Sequence, residues 1–254
     1  MMAAAAKSRP VAGFAIFTLV MLVVFVGLGV WQLQRRVEKH ALIAALDQRL
    51  AEAPGALPPP SQWGALTAAS DEFRRVQFQA TYDAAPDVMV YSSGSAIRPD
   101  ISSPGAWAFL PARLSSGEIV VVNAGFVPSA MPDRAQQDRA IKPLITNAPV
   151  MLTGYLRFPE KAGVLTPQEN LTTRLWFTRD HLAMAAALGW GEHGGTIAPF
   201  YIDLEQPAPA NGIPKPGALE VHLKDDHMQY AITWFSLAGA VVIAFAVWWR
   251  AQRR

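Results

Sequence analysis

Two uncharged apolar stretches of about twenty residues, one near each end, constrain this chain more than any other feature. Residues 11–30 (VAGFAIFTLVMLVVFVGLGV) run on through Trp31-Gln32-Leu33, and residues 230–249 (YAITWFSLAGAVVIAFAVWW) are as long. A helix rises 1.5 Å per residue, so twenty residues reach about 30 Å, the thickness of a bilayer's hydrocarbon core. A signal peptide and a buried core helix are the competing readings. A signal peptide's apolar region is usually about 7–15 residues, followed by a small-residue cleavage site. The first run is longer and ends in bulky Trp31. Both stretches therefore read as transmembrane helices, at 11–33 and 227–249. Only 17% of the 254 residues are charged, against about 25% in ordinary soluble domains, which fits a chain partly out of water.

Orientation follows from the basic residues. Arg250, Arg253 and Arg254 follow the second stretch, while Lys224 stands before it among Asp225 and Asp226. The positive-inside rule puts the 250–254 tail in the cytoplasm. Two crossings return residues 1–10, with Lys7 and Arg9, to the same side. Arg35, Arg36 and Lys39 lie on the outer side and break the rule, and such breaks mark function in some proteins. The first ten residues are too short and too poor in arginine for a mitochondrial transit peptide. The expectation is a multi-pass protein of a bacterial inner membrane, with its central domain in the periplasm.

Between the spans, residues 34–53 keep helical character, with Leu42, Leu46 and Leu50 four apart, and read as a stalk ended by Pro54-Gly55. Residues 54–206 carry short strand-like segments at 75–82, 88–91, 106–110, 118–127, 149–158 and 196–204. The clearest helix is 179–188, stopped by Gly189. This mixture predicts a β-rich α+β domain with antiparallel pairing. Residues 207–226 read as a Pro-rich linker and approach to the membrane.

Composition excludes several functions. A net charge of +2 and the lack of a basic stripe argue against nucleic-acid binding. The absence of cysteine removes disulfides, thiolate zinc or copper sites, iron–sulfur ligation and covalent c-type haem. Any metal or haem iron must be held by His, Met, Tyr or carboxylates. No zinc spacing, nucleophile elbow, phosphate loop or dinucleotide fingerprint is present. No motif links Asp203, Asp133 or Ser129 into a hydrolytic site.

Counting crossings puts the end of the first span and the start of the second at one membrane level. That level brings Trp31, Gln32, Arg35 and Arg36 together with His227, Gln229, Tyr230 and Trp234. His227, Tyr230 and Trp234 are spaced to share a helical face. Imidazole, aromatic walls and arginines are the groups a haem at an interface needs: an iron ligand, apolar contacts and partners for the propionates. The same residues also suit plain bilayer anchoring and headgroup contact. Of the other histidines, His181 is expected at the surface or partly packed, His193 at a loop tip and His40 on the stalk. His222 is a weaker second ligand candidate.

Four segments resemble those of a known family. Residues 29–36 (GVWQLQRR) look like a G-x-W-Q-x-x-R motif, and residues 122–128 (VNAGFVP) like V-N-R-G-W-V-P. Gly154-Tyr155-Leu156-Arg157, with Pro167, Asn170, Trp176 and Phe177, looks like G-x-L-R…P-x-N…W. Residues 227–235 (HMQYAITWF) are close to H-L-x-Y-A-x-T-W-F. The family so resembled is the surfeit locus protein 1 family of cytochrome c oxidase assembly factors. Ala124, Phe126 and Asp226 depart from its Arg, Trp and Asn. The resemblance implies a non-enzymatic role in maturing a haem-copper terminal oxidase. For bacterial members it implies binding haem a and passing it from the haem a synthesis machinery to the large oxidase subunit. Carried over by position, His227 becomes the iron ligand, Tyr230 and Trp234 the pocket walls, and Trp31, Gln32 and Arg35 the facing helix. A scaffold that stabilises an oxidase intermediate without touching haem is the alternative.

Overall fold

The computed structural model describes residues 8–95, 97–129, 133–192, 194–220 and 225–253. Lys7, His193, His222, Lys224 and Arg254 lie outside the described residues. In chain order the elements begin with α1 (Ser8–Ala51), β1 (Gly55–Ala56), α2 (Ala68–Asp71), β2 (Arg75–Tyr82) and β3 (Val88–Ser92). β4 (Gly105–Leu114), β5 (Ile119–Pro128), α3 (Arg134–Ile141) and β6 (Val150–Arg157) follow. The last are β7 (Leu175–Trp176), α4 (His181–Leu188), β8 (Ile197–Gln206) and α5 (His227–Gln252). Two compact units result, residues 8–45 with 225–253 and residues 46–220.

The first unit is an antiparallel pair of apolar helices. The least exposed positions of α1 recur at Ala15, Thr18, Leu22, Phe25, Gly29, Gln32 and Arg36; those of α5 recur at His227, Ala231, Trp234, Ala238, Val241, Phe245 and Trp248. Steps alternating between three and four give a period of about 3.5, the seam of a left-handed pair. Aromatic contacts set the register. Phe25 stacks on Trp234 with ring centroids 5.8 Å apart, and Phe14 meets Trp248 at 4.5 Å. Away from the seam the helices are bare, with only 11% of each apolar window buried.

The second unit is a mixed sheet that closes on itself. β2 pairs antiparallel with β6 through its first six residues and with β4 through residues 80–82. β6 pairs antiparallel with β8, β8 runs parallel to β5, and β5 pairs antiparallel with β4. The ring β2–β4–β5–β8–β6 has its barrel strands in the order first, second, third, fifth, fourth, with only the third and fifth parallel. That is the connectivity of a five-stranded OB-type Greek-key barrel. β3 extends the sheet from β4, and β7 adds to β3 in parallel.

Strand alternation sorts side chains into two cores. Ala106, Ala108, Leu110 and Ala112 of β4 face the barrel interior with Ala198, Phe200, Ile202 and Leu204 of β8. Trp107, Phe109 and Tyr201 face outward, where Val88, Val90, Trp176 and Met184 cover them. Burial on both faces explains why residues 119–122 (IVVV) are continuously apolar rather than alternating. α3 lies between the third and fourth barrel strands and sends Ile141 into the interior.

Two glycines of the motif segments are there because backbone passes too close for a side chain. Gly125 has φ +127, and a Cβ on it would sit 2.4 Å from the Lys215 carbonyl carbon. Lys215 bridges Phe126 through N–H···O bonds of 3.0 and 2.8 Å, so the stretch after β8 lies along β5. A Cβ on Gly154 would sit 2.4 Å from the Asp203 carbonyl oxygen, where the β6–β8 register shifts.

His181 departs from expectation. It is fully buried, not at the surface, because α4 packs its first turn under Tyr201 with rings 5.5 Å apart. With Nε2 2.9 Å from the Ala198 carbonyl oxygen, Nε2–H donates there, and buried Nδ1 has no partner among the described residues. Burial lowers its pKa from 6.5 to about 4, with the Ala198 bond and Asp180 opposing. The unfolded chain therefore binds a proton that the folded domain refuses. Stability is complete above about pH 6.5 and is lost as pH falls toward about 4. His181→Gln should reduce proton uptake on unfolding near pH 5 by about 0.9 of a proton. This is measured as the difference in pH slope of unfolding free energy between the two proteins; equal slopes contradict the assignment.

Candidate functional site

The seam carries Gly29, Gln32 and Arg36 of α1 to the beginning of α5. A Cβ on Gly29 would lie 2.6–2.9 Å from the Phe235 ring, so the glycine lets that ring approach the α1 backbone. One turn further on, the His227 Nδ1 lies 2.7 Å from the Gln32 Oε1. Asp225, two residues before, holds the other end of His227: its Oδ1 accepts the His227 backbone N–H at 3.0 Å. Its Oδ2 is 2.6 Å from His40 Nε2 and 3.7 Å from Arg36 Nε. The His227 N–H bond, helped by His40 and opposed by desolvation, holds the Asp225 carboxyl below the usual carboxylate range. One carboxylate thus holds the first backbone N–H of α5 and faces two successive turns of α1.

The sequence-predicted residues are not equally placed. His227 and Gln32 are in contact, and Trp234 is on the same seam, half-buried against Phe25. Tyr230 keeps 55% of its surface exposed and Trp31 49%. By about 100° per residue, Tyr230 falls on the shoulder of the α5 face and not at its centre. Arg35 turns to Glu38 of its own helix at 2.7 Å, both largely exposed. Arg36, not Arg35, faces the start of α5. Sequence reasoning passed over Asp225 and the part His40 plays. The signal was there: an Asp side chain readily accepts the backbone N–H two residues on, as Asp225 does from His227.

Chemically the site offers one imidazole whose Nδ1 is engaged, with two half-open aromatic rings and a guanidinium nearby. Among the described residues no cluster of three or more metal-ligating His, Asp or Glu side chains exists, so the imidazole suits a group that brings its other ligands with it. A haem would be such a group, because its porphyrin brings the other ligands and His227 would need to supply only one nitrogen. The donor set therefore fits.

The other motif segments build a second, buried centre. Asn123 Nδ2 donates to Asp203 Oδ1 at 2.7 Å, and Arg157 Nη1 donates to Asp203 Oδ2 at 2.7 Å. Arg157 Nε reaches Glu72 at 3.1 Å and its guanidinium lies 4.6 Å over Phe73. Asp203, considered above as a hydrolytic carboxylate, is spent on this pair, and Asp133 caps α3 through the Ala135 N–H. The centre links β5, β6 and β8, and removing one partner of such a buried pair typically costs about 3–5 kcal/mol because the other charge is left unpaired.

The family model described as SURF1 family matches residues 19–239. The chain belongs to the SURF1 family. It is 31% identical to Surfeit locus protein 1 of Rattus norvegicus, over 84% of this chain and 68% of the rat protein. It is 29% identical to the SURF1-like protein of Monosiga brevicollis, over 89% of this chain and 82% of that one. With Surfeit locus protein 1 of Mus musculus the identity is 30%, over 93% and 76%. The SURF1 match takes in the barrel, most of α1 and the first half of α5. Within this SURF1 chain the four motif segments meet in pairs: the first and last at Gln32–His227, the middle two at Asp203.

The antiparallel register has a direct test, because the chain contains no cysteine. Phe25→Cys with Trp234→Cys should be joined by a short bis-maleimide, and Val24→Cys with Trp234→Cys should not. Equal yields for the two pairs would mean that the seam is not as described.

Proposed function

We propose that this SURF1-family chain is an assembly factor of cytochrome c oxidase that spans the bacterial inner membrane twice. On this reading it holds haem a through His227 at the periplasmic edge of the helix pair and passes it to the large oxidase subunit. A part in oxidase assembly is what family membership implies. Membrane insertion draws support from the bare flanks of α1 and α5. Outward Ile16, Phe17, Leu19 and Val23, with Ile243 and Val247, would leave an apolar surface far beyond what water tolerates. Arg250 and Arg253 close the far end of α5, which favours that end in the cytoplasm and His227 at the opposite edge.

The observation that carries the haem reading is the His227–Gln32 contact, flanked by half-exposed Trp31 and Tyr230. Magnitudes divide the labour. Covering a few hundred Å² of porphyrin at about 25 cal/mol per Å² stabilises by several kcal/mol. An exposed arginine–carboxylate pair adds only about 0–1 kcal/mol. Aromatic walls and the iron bond supply affinity, and arginines such as Arg36 orient the propionates.

Co-expression with the haem a synthesis enzymes, purification in detergent and a visible spectrum test this. Haem a bands should accompany the wild-type protein and should fall at least tenfold in His227→Ala, with the yield unchanged. A protein purified in normal yield without haem would support the scaffold reading instead. Undiminished bands in His227→Ala would take the ligand role from this residue.

A further inference from the structure

A histidine can bind iron through Nε2 only when that nitrogen carries no proton, and what its other nitrogen touches decides this. His227 Nδ1 faces the Gln32 carboxamide oxygen at 2.7 Å, and that oxygen can only accept. Nδ1 must then carry the proton, and Nε2 keeps its lone pair. We propose that Gln32 is a positioning residue that locks His227 in the Nδ1–H tautomer and so presents the Nε2 lone pair to an incoming haem iron. For its purpose this rests on the haem reading above; its test does not.

Two further contacts make the lock more than a chance approach. Asp225 pins the backbone of His227 through the N–H bond at 3.0 Å, so the residue cannot slide along the helix axis. Gly29, one turn before Gln32, lets Phe235 approach the α1 backbone, which holds the two helices at the separation the 2.7 Å bond needs. The imidazole is thus held at its main chain by Asp225 and at its ring by the facing helix. Second-sphere acceptors of this kind usually change metal affinity by about 10–100-fold when removed.

The tautomer is read without haem. Full-length protein carrying 15N-histidine, in detergent under alkaline conditions, gives separate signals for protonated and bare ring nitrogens. His227→Gln identifies the His227 pair. Wild type should show Nδ1 protonated and Nε2 bare. Gln32→Leu should move the proton to Nε2, while Gln32→Glu, still an acceptor, should keep it on Nδ1. With haem a supplied, Gln32→Leu should retain it about tenfold less well. Gln32→Glu should retain it and lower its midpoint potential, because a charged acceptor increases donation from the imidazole to the iron. A wild-type signal with Nε2 protonated overturns the proposal, as it would if the Gln32 amide turned its N–H toward Nδ1. So does a Gln32→Leu protein with unchanged tautomer and unchanged haem retention. A locked Nδ1–H form in a protein that takes up no haem upholds the lock and sinks the haem reading alone.

Discussion

The close packing of two apolar helices at Gly29 and Phe235 is the contact on which the candidate site depends. With no side chain at Gly29, the Phe235 ring lies against the α1 backbone, and the antiparallel register carries Gln32 to His227 one turn later. Aromatic pairs further along the seam, Phe25 with Trp234 and Phe14 with Trp248, hold the same register by shape. In hydrocarbon, where no hydrophobic force drives helices together, such packing is what fixes a pair. A polar contact then needs little energy of its own, because its geometry is imposed by the apolar seam below it.

The barrel domain solves a different problem with the same residue types. Glycine again allows a close crossing, at Gly125 under Lys215 and at Gly154 under Asp203. Where β5, β6 and β8 meet, Asp203 takes both Asn123 and Arg157. Its burial and mutual pairing mark that centre as structural, and Asn123 and Asp203 also line a small cavity with Arg98, Trp107 and Arg179. The outer face of β4 and β5, which in many barrels of this connectivity receives ligands, is here covered by Trp176 and Met184 of the domain itself.

Much of this was legible in the sequence, and the rest failed for identifiable reasons. β2 alternates because one face is buried, and the residues read as a strand, 75–82, are the ones that form it. Gly189 ends α4 as expected, with φ +69. The helix seam left no trace, because on an apolar background the 3.5-residue period has no polar contrast. α3 (RAQQDRAI) was missed because its roughly two turns are mostly polar, with burial confined to Ala140 and Ile141 at its end. His181 misled because a lone polar residue opening an apolar helix looks like a surface cap, whereas the sheet buries that turn. Arg35 and Arg36 are adjacent, and only the rotation of α1 decides that Arg36 faces Asp225. Barrel closure depends on β2 pairing with both β6 and β4, a long-range choice that local pattern does not encode.

That His227 and Gln32 meet at one edge of a membrane requires both apolar helices to cross it in opposite directions. Reporter fusions that are active on only one side of the bilayer, placed after Arg254, before Met1 and within the barrel domain, measure this most directly. Both chain ends should report cytoplasm and the barrel periplasm. Ends reporting opposite sides would contradict the hairpin, and with it the shared edge at which haem is proposed to be held.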